Sequence, residues 1–155
     1  MKRFFTLMLI MFCIVTTCFK ARAEENNFTY SSIYKTCSPW DSPAVTLVFS
    51  EKDNPLDTYS PYIEFSFFKN IEVFNSKKLS KPVVFKFNSK NSNEGTAVYS
   101  PKEDVGSKAD TAEIVFEQID KTGHVKGHYS MKINDKIING SFETKVWNKY
   151  GQLCG

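Results

Sequence analysis

The residues able to do chemistry in this chain are few and widely spaced. His124 and His128 are the only histidines. They are four positions apart, and on an extended strand that spacing puts them on one face about 13 Å apart. One ion cannot span that gap unless a bulge at Gly127 folds the strand, and a zinc-type site would also need a third ligand, for which Asp120 is the nearest acid. The expectation is therefore two exposed polar residues opposite a core face of Val125 and Tyr129, with no metal and no cofactor. No Gly-x-Ser-x-Gly nucleophile motif is present, and neither Cys37 nor Cys154 stands beside a base that would activate it. The chain reads as non-enzymatic, with a hydrolase built on His124 and His128 the least favoured reading.

Aromatic side chains are the richer resource. Trp40 follows Cys37 by three residues in Cys-Ser-Pro-Trp-Asp-Ser-Pro, while Trp147 precedes Cys154 by seven, near Tyr150. A bond between the two cysteines would gather Trp40, Trp147 and Tyr150 at one end of the molecule. There they either pack around the disulfide or form a platform for a sugar ring or a partner protein, since Trp and Tyr are favoured binding anchors. Phe67 and Phe68 are consecutive, so on a strand one of them faces outward.

These residues sit in a chain marked for export. The opening MKRFFTLMLIMFCIVTTCFKARA has cations at Lys2 and Arg3, an apolar run from Phe4 to Val15 and a small-x-small end at Ala21-Arg22-Ala23. That is the pattern of a secretory signal cleaved after Ala23, leaving residues 24–155 as one domain in the periplasm or outside the cell. The apolar run is shorter than the roughly 20 residues of a membrane span, so no membrane span is expected. Lipidation at Cys18, which closes Val15-Thr16-Thr17-Cys18, is the competing reading.

Of the 20 cations and 17 anions, Lys2, Arg3, Lys20 and Arg22 lie in the signal, which leaves 16 against 17 and a net charge of −1. The remaining cations are all lysines. A near-neutral surface without arginine speaks against nucleic acid and against a dedicated phosphate clamp. Cys37 and Cys154 alone outlast cleavage, and in an exported protein such a pair reads as one disulfide. Closing so long a loop stabilises by about 4–5 kcal/mol in the chain-entropy model.

Period-2 alternation dominates what must position these groups. Strands are expected at Phe28–Tyr34, Ala44–Ser50, Tyr62–Phe68, Ile71–Phe74, Lys81–Asn88, Thr96–Ser100, Thr111–Glu117, Val125–Ile133 and Ile137–Trp147, each bounded by Asn, Ser, Gly, Asp or Pro clusters. The fold class is all-β, a single-domain antiparallel sandwich or barrel of about eight to nine strands. The last three strands form a meander in which Gly127 and Gly140 mark a bend, a bulge or close packing.

The runs Asp120-Lys-Thr-Gly-His-Val-Lys-Gly-His-Tyr-Ser130 and Ile138-Asn-Gly-Ser-Phe142 resemble the C-terminal hairpins of small secreted bacterial β-sandwich or lipocalin-like proteins. The resemblance implies a rigid β scaffold and no single activity. Together these readings point to an exported binding protein of inhibitor or immunity type acting on a protein or glycan partner, with a lipocalin-like carrier of an apolar ligand as the alternative.

Overall fold

Ten strand segments and one short helical turn make up the described chain. The computed structural model describes residues 23–25, 28, 30–51, 61–75, 78–102 and 105–147. In order they are β1 (Ala23–Glu25), β2 (Tyr30–Cys37), β3 (Pro43–Ser50), β4 (Tyr62–Phe67), β5 (Val83–Asn88), β6 (Gly95–Ser100), β7 (Ser107–Lys108), β8 (Thr111–Ile119), β9 (His124–Ile133) and β10 (Lys136–Trp147). Eight of the ten have six residues or more, so the expected all-β class holds.

The hydrogen-bonded order is β5-β8-β9-β10-β2-β3-β4-β6-β7, with β1 on the free edge of β10. β10 carries the chain from one layer to the other. Its residues from Lys136 to Lys145 pair antiparallel with β9, whereas Val146 and Trp147 run parallel to Ile33 and Tyr34 of β2. Just before that crossing the Thr144 hydroxyl donates to the Ser31 carbonyl at 2.6 Å. One layer thus holds β1, β5, β8, β9 and β10, and the other holds β2, β3, β4, β6 and β7. The two edges β5 and β7 are not joined, so the molecule takes the sandwich form and not the closed barrel. Pairing is antiparallel except where β10 meets β1 and β2. Among the described residues no helix is long and apolar enough to cross a membrane.

The C-terminal meander forms as expected. β9 alternates exposed and buried along its whole length, putting Val125, Gly127, Tyr129, Met131 and Ile133 inward. Gly127 and Gly140 are demanded by packing: a Cβ at Gly127 would overlap the Val115 carbonyl and the Phe142 ring, and one at Gly140 would overlap Tyr129. Of the bend, bulge or close packing that Gly127 allowed, the structure shows close packing, and a bulge lies on the facing strand, where the register of β8 slips between Phe116 and Gln118.

Rings fill the space between the layers. Phe49, Phe65 and Phe67 of one layer meet Phe85, Phe87, Phe116, Tyr129 and Phe142 of the other with centroids 4.8–5.7 Å apart. Such pairs add about 0.5–1.5 kcal/mol each beyond their area burial.

One expected strand is corrected. Ile71–Asn75 is a 3-10 turn. Asn70, just before it, takes the left-handed conformation at φ 56° that Asn tolerates. A strand there would need a neighbouring edge, while a 3-10 turn satisfies its own backbone groups. It drops Phe74 into the core against Phe67, Phe85 and Phe116.

Candidate functional site

The loop that joins β2 to β3 is built to hold one side chain outward. Ser38 is buried, and its amide donates to the Ser42 carbonyl at 2.8 Å while its carbonyl accepts from the Asp41 amide at 3.0 Å. The Ser38 hydroxyl accepts from the amides of Trp40 and Ser42, both at 3.3 Å, and lies 2.7 Å from the Ser42 hydroxyl. Pro39 restricts the first turn residue, and Asp41 takes the left-handed conformation at φ 55° that Asp tolerates. The product is Trp40 at 58% exposure, its ring edge-to-face with Phe68 at 5.7 Å and 90°. Phe67 is fully buried in the core, so the consecutive pair does split between the two faces as its spacing requires.

Behind Trp40 lies a cleft of about 730 Å³ on the outer face of the second layer. Register explains its floor. Tyr34 pairs with Thr46, Thr46 with Ser66 and Ser66 with Thr96, which aligns four polar side chains across β2, β3, β4 and β6. The hydroxyls of Thr36 and Thr46 are 3.1 Å apart, those of Thr46 and Ser66 3.3 Å apart, and Ser66 donates to Glu64 Oε1 at 2.8 Å. Thr46 is only 4% exposed and Ser66 7%, although both point away from the core. Tyr34 lines the same cleft. Burial, then the Glu64 carboxylate, then Tyr62, push its phenol up to about 12, so it stays a protonated donor through the physiological range. Lys108 of β7 also lines the cleft.

Of the residues singled out in the sequence, Trp40 and Cys37 line this cleft. Trp147 pairs through its main chain with Tyr34, a residue that lines the cleft. Tyr150 and Cys154 lie outside the described residues, as do residues 1–22, where the export signal is expected. Sequence reasoning missed Tyr34, Thr36, Thr46, Glu64 and Ser66. The only pointer to them was the run Ala44-Val-Thr-Leu-Val-Phe-Ser50, apolar or small on both faces of one strand, which marks an outer face shielded from water.

The histidines stand on the opposite layer. Both are exposed. His128 Nδ1 is 3.0 Å from Glu117 Oε1, and Glu117 is the extra residue at the β8 bulge. The His124 amide donates to Asp120 Oδ1 at 3.0 Å, and the same oxygen accepts from the amide and the hydroxyl of Thr122 at 2.7 and 2.6 Å. These bonds, the Thr122 hydroxyl foremost, hold the Asp120 carboxyl below the usual carboxylate range. They shape a turn. Among the described residues no three of His, Cys, Asp and Glu converge on one point.

Comparison of the chain with protein-family models, with curated proteins and with solved structures finds no match.

Proposed function

We propose that this chain is an exported, non-enzymatic binding protein that engages a protein or glycan partner through the cleft behind Trp40. The observation that carries this reading is the Ser38-centred turn, which holds a largely exposed tryptophan rigidly at the rim of a cleft whose polar floor is already hydrogen-bonded. Preorganised aromatic anchors of this kind lose little conformational freedom on binding. Rings in contact across the sandwich leave the apolar interior to the protein itself, which favours an outer site over a lipocalin-like carrier. Exposed histidines engaged in a turn and a surface pair favour binding over hydrolysis.

The Cys37–Cys154 disulfide belongs to this proposal. Parallel pairing carries the last strand alongside β2 as far as Trp147 opposite Tyr34, heading toward Cys37, and Cys154 is seven positions further along the chain. The link would brace the cleft wall.

The test compares the mature protein with Trp40→Ala in capture from a periplasmic or culture-supernatant extract, with Glu113→Ala on the opposite layer as control. Trp40→Ala should weaken capture tenfold or more with an unchanged melting temperature, because truncating an anchor typically costs about 2 kcal/mol or more. Capture that is equal for all three proteins refutes the surface.

A further inference from the structure

We infer that the cleft takes a neutral, hydroxyl-rich ligand, a saccharide, whose apolar ring face lies on Trp40 and whose hydroxyls donate to Glu64. The inference deepens the surface-binding reading above and rests on it.

Proton counting gives the polarity of the floor. An ionised carboxylate only accepts, and each hydroxyl carries a single hydrogen. Ser66 spends its hydrogen on Glu64 at 2.8 Å. The contact between Thr46 and Ser66 at 3.3 Å must then be donated by Thr46, and the contact between Thr36 and Thr46 at 3.1 Å by Thr36. Every hydroxyl hydrogen of the chain Thr36→Thr46→Ser66→Glu64 is committed in one direction. What this chain of hydroxyls offers a ligand is oxygen lone pairs, ending in a carboxylate with about four lone-pair sites of which Ser66 takes one, while the Tyr34 phenol lining the same cleft is the complementary donor for a ligand oxygen. A matching ligand brings donors, and adjacent hydroxyls on a ring are donors at the spacing of one carboxylate.

Charge decides between donors that are neutral and donors that are cationic. Glu64 and Lys108 both line the cleft, and register sets them on one row, Glu64 opposite Val98 and Val98 opposite Lys108. One anion and one cation leave no net charge to select an ammonium or a phosphate, and no arginine exists beyond residue 23 to clamp an anion in two places. The aromatic wall supplies the remaining term. A pyranose has a face of C–H groups and a rim of hydroxyls, and the Trp40 ring, braced edge-to-face by Phe68, offers one apolar face next to the hydroxyl floor. A surface recess of this size with a few convergent polar groups suits a small ring better than a protein, which needs roughly 800 Å² per partner.

The test uses the mature, oxidised protein and a panel of neutral gluco-, galacto- and manno-configured and N-acetylated oligosaccharides, titrated by calorimetry up to about 10 mM. A sulfated saccharide and a lysine-rich peptide are the charged comparisons. The expected result is saturable binding of at least one neutral saccharide, weakened tenfold or more by Trp40→Ala and by Glu64→Gln and untouched by Glu113→Gln. A readout free of variants accompanies it: the bound saccharide should protect Trp40 from oxidation by N-bromosuccinimide, resolved peptide by peptide. No saccharide bound, binding indifferent to both substitutions, preference for a charged probe, or Trp40 left unprotected each overturns the inference. If no saccharide binds while Trp40→Ala still abolishes capture of a protein partner, the ligand class is wrong and the surface stands. If capture is also indifferent to Trp40, both fall.

Discussion

The two outer faces of this sandwich are made of the same kind of strand and have opposite characters. On β5, β8, β9 and β10 the outward positions carry Lys86, Glu113, Glu117, Lys126, His128 and Glu143, paired as Lys86–Glu113 at 3.2 Å, Lys126–Glu143 at 2.9 Å and His128–Glu117 at 3.0 Å. Each side chain keeps about half or more of its surface in water. On β2, β3 and β4 the outward positions carry Thr36, Ala44, Thr46, Val48, Glu64 and Ser66, and the central strand β3 is buried on both faces. Long charged side chains reach past their own backbone and stay solvated. Short hydroxyls cannot, so they bond one another and leave a recess. A face of pairs is a solvated surface, whereas a face of interlocked hydroxyls is a template.

The difference is open to direct attack. The largest effect is expected on the interlocked face, where Ser66→Ala removes both the donor to Glu64 and the acceptor for a buried Thr46 hydroxyl. Leaving such a group unsatisfied costs about 1–3 kcal/mol, to be read from urea unfolding midpoints at constant slope. A change within error would mean that the chain of hydroxyls does not act as a unit. Next comes the alkaline limb. The Tyr34 phenol has a raised folded-state value, so between about 10 and 12 the folded state holds a proton that the unfolded state has released. Stability from Tyr34 is complete below pH 10 and falls as pH rises through that window. Melting temperature in Tyr34→Phe should therefore decline less steeply above pH 10 than in the parent, and parallel curves would contradict a buried phenol. The smallest effect belongs to the charged face: Glu113→Ala should cost no more than about 1 kcal/mol, shrinking further in salt. If it costs as much as Ser66→Ala, the two faces are not energetically distinct.

How much of this could be read in advance depended on whether a feature is local. Alternation is local, so the inward set of β9 from Val125 to Ile133 and the division of Phe67 from Phe68 were legible from spacing alone. Close packing at Gly127 and Gly140 was among the readings their position allowed, because a missing side chain inside a strand needs a neighbour that excludes it. The run Ile71-Glu-Val-Phe74 misled, since β-branched residues suit a strand but cannot supply the edge that a strand must pair with. The cleft was half legible. Trp40 stood out by type, whereas the alignment of Thr46 with Ser66 and Tyr34 depends on register between strands separated by loops. Such register is settled by tertiary packing.

The crossing of β10 from one layer to the other also orders the events of folding. Ser31 and Thr144 meet across a separation of 113 residues, so the seam is among the most expensive loops for the chain to close, and its second half is the last strand in chain order. Until β10 arrives, β2 stands as an open edge, ready to pair with a neighbouring molecule. Assembly speed is then governed by the last strand to be made, and a chain shortened before Thr144 would keep its hairpins yet lose the hydrogen-bonded seam between its two layers.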